Sequence, residues 1–436
     1  MRIGRSVYRT VVFISWCAFL PSAKIPALAQ GLFDLSVNPV VISDWKPEPW
    51  PKVAFGGLRL WDANTAWQQL NTADGVYNWS VLDAWLAAAQ RGGQHVLYTF
   101  GQTPRWASSN PNDKGCTGGA GTCGPPDDLN ADGSGSDQHW KDFVTALAMH
   151  NRNSSTAHIS AWEIWNEPFA TWQWTGTCAQ LVRMARDAAG IIKSFDPDAI
   201  VLSPSADWAW GQPRTWLGAY LAAGGGQYAD AIAVHGYVYL GERDEPEDMV
   251  GMAQKFRAVL KAYGQDSKPI WDTEASWGYG YKYRYNNPDM QAGWLARFYL
   301  LHRSSSIQCL FWYSYNSDDD FGTLWIPDPK DRTLKGTLLK PGLAFAQVTG
   351  WLSGVRMSKS CSPSGPIWTC ELSGAGGYQG LLVWDTAMSC SKDGCQTDRY
   401  TVNSDYIKYR TLDGKTIQIT KDTVPIGAEP ILVQNQ

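Results

Sequence analysis

Short apolar runs recur along the chain and alternate with segments patterned at helical spacing. Eight runs are dominated by β-branched or aromatic residues: 32–37, 57–62, 95–100, 159–165, 200–204, 231–237, 269–273 and 307–313. Near-continuous apolar strands are what a sheet buried on both faces requires; a sheet wet on one face alternates instead. Between these runs the apolar residues fall on one helical stripe. In 79–91, Val81, Leu82, Trp85, Leu86 and Ala89 recur at intervals of three and four. Segments 138–150, 180–195, 249–263 and 290–303 repeat the pattern, and 343–351 is the last. Strands alternating with helices predict an α/β chain of parallel βα units, here a (β/α)8 TIM barrel. Two insertions interrupt it. Residues 105–137 are rich in Gly, Pro, Asn and Asp, and residues 277–290 in Tyr. Long loops after strands build the active face of such a barrel. Beyond residue 353 the texture changes to short alternating runs and turns such as Asp413-Gly414. This predicts a small antiparallel β domain that packs against the barrel.

The N-terminus carries a different pattern. Arg2, Arg5 and Arg9 precede an apolar stretch at 11–20, and Ala27-Leu28-Ala29 offers small residues for cleavage. The stretch is too short to span a bilayer, so it reads as an export signal removed near Gln30. No later stretch is long and apolar enough for a membrane span. The expected organisation is a signal peptide at 1–29, a catalytic barrel at 30–352 and a β domain at 353–436, with a secreted or periplasmic destination. Cys17 leaves with the signal. Eight cysteines remain, and spacing suggests Cys116/Cys123, Cys361/Cys370 and Cys390/Cys395 as local disulfides; Cys178 and Cys309 either pair or stay apart.

Composition narrows the function. Of 436 residues, 44% are hydrophobic and the net charge is −4, which excludes intrinsic disorder and a nucleic-acid partner. The chain holds 24 Trp and 19 Tyr, more indoles than a core alone needs. Flat aromatic faces suit sugar rings.

The candidate chemistry lies at two strand ends. In Trp162-Glu163-Ile164-Trp165-Asn166-Glu167-Pro168 an apolar strand stops at a carboxamide, a carboxylate and a proline. Glu167 is then held at the carboxyl end of strand four, where barrel enzymes place catalysis. The flanking tryptophans are expected to desolvate it, as suits a general acid. In Ile270-Trp271-Asp272-Thr273-Glu274 a second acid ends strand seven, across the barrel. Two carboxylates about 5–5.5 Å apart define a retaining glycosidase. By alternation Glu163 and Asp272 are expected on the same side as their partners but deeper.

These two motifs resemble clan A of the glycoside hydrolases, marked by Asn-Glu at the end of strand four and Glu at the end of strand seven. Within it, Trp-Glu-Ile-Trp-Asn-Glu-Pro and Thr-Glu are most similar to family 39. The resemblance spans residues 31–350 and implies roles position by position. Glu167 is the acid/base, Glu274 the nucleophile, and Asn166 binds the sugar 2-hydroxyl. His235 and Tyr237 end strand six, and Tyr237 is expected to donate to the nucleophile. Arg59 on strand two is expected to pair with Glu274 and lower its pKa, and Trp312 on strand eight to form the sugar platform.

Further aromatic residues on loops after strands are candidate subsites: Trp106, Trp172, Trp174, Trp208, Trp210 and Trp277, with Tyr279, Tyr281, Tyr283 and Tyr285 alternating after strand seven. Asp128-x-Asn130-x-Asp132-Gly133 opens like a calcium loop but has His139 at the twelfth position; neither a metal nor a cofactor is assigned. The expected function is a secreted retaining β-glycoside hydrolase acting endo on a polysaccharide or oligosaccharide. Alternatives are an exo-β-xylosidase-like glycosidase, a transglycosylase, and a non-catalytic carbohydrate-binding barrel.

Overall fold

The computed structural model describes residues 34–36, 50–207, 213–238, 245–278, 287–316, 321–327 and 336–436. The expected export signal, Trp208, Trp210 and Tyr279, Tyr281, Tyr283 and Tyr285 lie outside these residues. Eight parallel strands form the barrel: β1 (Asp34–Ser36), β2 (Gly57–Leu60), β3 (His95–Thr99), β4 (Ile159–Glu163), β5 (Ile200–Leu202), β6 (Ile232–His235), β7 (Ile270–Ala275) and β8 (Cys309–Trp312). They are hydrogen-bonded in the order β5-β4-β3-β2-β1-β8-β7-β6. A bridge between Leu202 and Ala231 joins β5 to the start of β6 and closes the ring.

Alternation along each strand sorts the core into two compartments. Leu97, Ala161, Ile200, Leu202, Ala231, Ala233, Trp271, Cys309 and Phe311 cluster inside the barrel. Leu58, Leu60, Tyr98, Trp162, Val201, Val234 and Leu310 face the surrounding helices. Those helices are α1 (Ser80–Gly92), α2 (Gln138–Asn153), α3 (Cys178–Phe195), α4 (Pro213–Ala222), α5 (Asp248–Ala262), α6 (Pro288–Ser304) and α7 (Lys340–Leu352). All but α4 match an expected segment. In α4, Gly218 and Ala219 fall among Trp216, Leu217, Tyr220 and Leu221, so no polar face sets off an apolar stripe. None of the described helices is long and apolar enough to cross a membrane.

After α7 the chain builds an antiparallel sheet of β9 (Arg356–Ser364), β10 (Ile367–Ser373), β11 (Gln379–Asp385), β12 (Lys408–Arg410), β13 (Thr416–Gln418) and β14 (Ile431–Gln434). Their order is β9-β10-β11-β14-β12-β13. This sheet sits hard against the barrel. A Cβ on Gly293 of α6 would lie 2.8 Å from the Ala428 carbonyl, so any larger residue there would force the layers apart. The Trp384 indole donates to Glu247 at 2.7 Å, and buried Arg297 of α6 pairs with Glu245 and Glu247. Both glutamates lie between β6 and α5, so the β domain braces the segment that follows β6.

Cys116–Cys123, Cys361–Cys370 and Cys390–Cys395 are disulfides, as their spacing suggested. Cys309 packs inside the barrel beside Trp271 and Phe311, whereas Cys178 opens α3 in the helix layer.

The 105–137 insertion is organised by charge. Asp128 accepts from the Ser136 hydroxyl and the Gln138 and His139 amides, which caps the start of α2. Arg183 of α3 donates to the carbonyls of Gly133, Gly135 and Ser136 at 3.1–3.3 Å. Asp137 is fully buried with no hydrogen-bond donor at either carboxylate oxygen, and it faces Asp187. Burial first, then Asp187 and Asp128, push its pKa up to about 8 against the pull of Arg183. Between its ordinary value near 3.8 and about 8, the folded chain holds a proton that the unfolded chain releases. Stability therefore falls as pH rises through that window. Asp137→Asn removes the penalty: its melting temperature should exceed the parent's, and by more at pH 8 than at pH 5. An equal difference at both values would refute the assignment.

Candidate active site

The site is built on one guanidinium. Gly57 and Arg59 of β2 alternate with Leu58 and Leu60, which face the helices, so Arg59 projects into the barrel with no exposed surface. Its Nε and Nη2 both reach Glu163 Oε2 at 2.9 Å, Nη1 reaches Glu274 Oε2 at 2.7 Å, and Nη2 reaches Asn166 Oδ1 at 2.8 Å. Burial opposes its charge, but Glu163 and Glu274 hold it and raise its pKa above that of an ordinary arginine. Glu163 lies inward, as alternation predicted, but its oxygens are taken. Besides Arg59, it accepts from Thr99 at 2.7 Å and Thr273 at 2.6 Å. It is a buried counter-ion with no exposed surface, 4.0 Å from His235 Nε2.

Glu167 sits past the end of β4 with φ +45°, in the left-handed region. Non-glycine residues there are strained and cluster at functional sites. The turn is held by the Glu167 amide donating to the Ser205 hydroxyl at 2.9 Å and by its carbonyl accepting from Ala170. The flanking indoles do not desolvate it. Trp162 packs among the helix-facing rings Tyr98 and Phe100, and Trp165 against Trp140 and Trp174. The contact comes instead from His235, whose Nδ1 lies 2.8 Å from Glu167 Oε1. A guanidinium can only donate, so His235 Nε2, 3.3 Å from Arg59, faces it as a lone pair and Nδ1–H points at Glu167. Burial works to lower the His235 pKa, but Glu274 and Glu167 outweigh it and raise it.

Strand β7 departs from simple alternation. Trp271 points into the barrel and Thr273 reaches Glu163 there. Asp272 points outward, contrary to expectation, to His302 of α6 at 2.8 Å, and it accepts from the Gly236 amide at 3.0 Å. A register shift between Asp272 and Ala275 then turns Glu274 back to the mouth. There Tyr237 donates to Oε1 at 2.9 Å while Arg59 holds Oε2. Burial raises the Glu274 pKa, opposed by His235 and Arg59 and reinforced by Glu167 and Asp62. Arg59 does pull it down, as expected, but the net direction is upward. Glu167, His235 and Glu274 each present an atom within 4.8 Å of the others.

This arrangement meets known proteins at the level of family and fold. A family model described as cellulase (glycosyl hydrolase family 5) matches residues 63–318, over half of the chain. The chain belongs to that family. It is an O-glycosyl hydrolase of the retaining clan A type, similar to family 39. A family 39 glycoside hydrolase from Bacteroides cellulosilyticus matches its fold at 17% identity and TM-score 0.66, over 93% of this chain and 81% of that one. A family 39 β-xylosidase from Caulobacter crescentus matches at 14% and 0.59, over 93% and 96%. A family 30 endoxylanase from Clostridium papyrosolvens matches at 13% and 0.57, over 93% and 95%. No curated protein sequence matches significantly.

The aromatic residues of this glycosyl hydrolase divide differently from expectation. Trp312 is no sugar platform. Cys309 and Phe311 face inward on β8, so Trp312 faces α6, fully buried, with its indole bonded to the Gly322 carbonyl at 2.7 Å. Trp277 is buried against Trp312 and Trp294, and Trp174 against Trp165. Neither offers a face to a ligand. Trp106 is half-buried, donating to the Asn71 carbonyl and edge-on to His139. Trp172, after β4, is 50% exposed, and its carbonyl anchors Thr117 of the disulfide loop. Two residues escaped the sequence reading, Asp62 and Tyr313, which meet at 2.6 Å after β2 and β8. Asp62 is an acid at a strand end, the same signal that exposed Glu167 and Glu274.

Arg59 neutralises two carboxylates at once, and removing one partner of a buried ion pair is strongly destabilising. Arg59→Met should cost about 3–5 kcal/mol of unfolding free energy, read by denaturant titration at pH 7. A loss near zero would show that Glu163 and Glu274 do not depend on it.

Proposed function

We propose that the chain is an exported, retaining β-glycoside hydrolase that cleaves a polysaccharide or oligosaccharide internally by double displacement. The observation that carries this reading is the convergence of Glu167 and Glu274 within 4.8 Å at the barrel mouth. Retaining enzymes hold their carboxyl groups about 5–5.5 Å apart, whereas inverting ones need about 6.5–9.5 Å for an intervening water. Glu167, fixed by His235 and its strained turn, protonates the leaving oxygen. Glu274, fixed by Arg59 and Tyr237, attacks the anomeric carbon and forms the glycosyl-enzyme. Glu167 then takes a proton from water, which releases the sugar with its configuration kept. Asn166 spends its carbonyl on Arg59 and keeps its amide N–H groups as donors for the sugar 2-hydroxyl.

Internal cleavage is supported by Trp172. It is exposed on the loop that follows β4 and Glu167 in the chain, and an exposed indole on that loop suits stacking on a departing sugar chain. Export is supported by the signal-like N-terminus and three disulfides. The similar folds carry names such as endoxylanase, β-xylosidase and glucosidase, which favour a neutral β-linked xylan or glucan. The exo-β-xylosidase-like reading draws on the same family 39 fold.

Product analysis over plant and bacterial polysaccharides, beside Glu167→Ala and Glu274→Ala, tests the proposal. Mixed oligosaccharides from one polymer, absent in both variants, are expected. Single sugars from oligomers alone would favour exo action, and products surviving in either variant would overturn the catalytic assignment.

A further inference from the structure

A third carboxylate opens on the same cleft, and neither the frame nor the two-carboxylate chemistry uses it. Asp62 stands just past β2 at φ +54°, a strained conformation for a non-glycine residue. Its side chain is open to solvent, and its Oδ2 accepts from the Tyr313 hydroxyl at 2.6 Å. Among the described residues it forms no ion pair. Strand β1 lies between β2 and β8, so the Asp62–Tyr313 contact spans the mouth above β1. Asp62 raises the pKa of Glu274, and its own is raised by the enclosing walls and by Glu167 against Tyr313 and Arg59. The three acids therefore share one electrostatic field.

Position assigns Asp62 a side of the cleft. The leaving group departs over the acid/base, so it lies toward β4 and Trp172. The sugar that becomes attached to Glu274 lies on the other side, over β1, β2 and β8. A carboxylate can only accept, so what it binds there must donate, and sugar hydroxyls do. Among the described residues the cation that touches these acids is Arg59, and the neighbouring donor is His235; both are buried and already engaged. Among the described residues, a sugar acid placed in this subsite would meet the Asp62 and Glu274 carboxylates with no free cation to pair with.

We propose that Asp62, oriented by Tyr313, is a specificity-determining residue of the glycone subsite, binding the hydroxyls of a neutral sugar and rejecting a uronic acid. The inference rests on the hydrolase reading above. Its test compares kcat/KM for 4-nitrophenyl β-xyloside, β-glucoside, β-xylobioside and β-cellobioside with that for the β-glucuronide, in the parent, Asp62→Asn and Tyr313→Phe. Melting temperatures establish that each variant is folded. The parent should cut neutral glycosides and spare the glucuronide. Asp62→Asn should lose about 10- to 100-fold on the neutral substrates, the size of a hydrogen bond to a charged group, and narrow the neutral-to-uronide ratio. Tyr313→Phe should move both in the same direction by less. A folded Asp62→Asn with unchanged rates and ratio, or a parent that prefers the glucuronide, overturns the inference alone. A parent that turns over no glycoside contradicts the hydrolase reading and the inference together.

Discussion

The guanidinium of Arg59 is the constraint on which the site depends. It is buried in the barrel, where an unpaired charge is costly, and it is held by two carboxylates and a carboxamide from two other strands of the ring, β4 and β7. One of those carboxylates, Glu163, is inert and fully bonded. The other, Glu274, rises to the mouth. A single cation thus fixes the candidate nucleophile, orients Asn166 and presents a donor to His235, which in turn holds Glu167. The two acids that must work in concert are tied to one rigid anchor rather than to separate loops.

Backbone irregularities deliver these side chains. Regular strands alternate, and with Trp271 and Thr273 pointing inward, regular alternation would have sent Glu274 outward together with Asp272. The register shift in β7 sends Asp272 out to His302 and brings Glu274 in. The positive φ at Glu167 and at Asp62 turns both acids at the ends of their strands. Local strain of this kind is sustained only when packing over-determines it. Here the helix layer, with Trp140, Trp165 and Trp174 interlocked behind β4, supplies that packing.

Periodicity made the barrel legible, because apolar strands and helical stripes are properties of consecutive residues. Strand-end position made Glu167 and Glu274 legible, and the resemblance to clan A, rather than any pattern in the residues, offered Arg59 as the partner of Glu274. What the sequence hid were properties of geometry rather than composition. Trp312 reads as a platform until Cys309 and Phe311 claim the inner face of β8. Trp162 and Trp165 flank Glu167 in sequence but face the other way in space. A bulge has no residue signature, so Asp272 was placed on the wrong side. Asp62 carries the strand-end signal of an acid, but no Asn-Glu or Pro follows it, and its left-handed φ leaves no mark in the residue pattern.

The central claim is that Glu274, anchored by Arg59, forms a covalent bond to the sugar while Glu167 does not. Trapping the enzyme with a 2-deoxy-2-fluoro glycoside of a substrate it cleaves, followed by peptide mass spectrometry, reads this directly. The account predicts one added sugar on the peptide that contains Glu274. A label on the peptide containing Glu167, or inactivation-free turnover that leaves no labelled peptide, would contradict it.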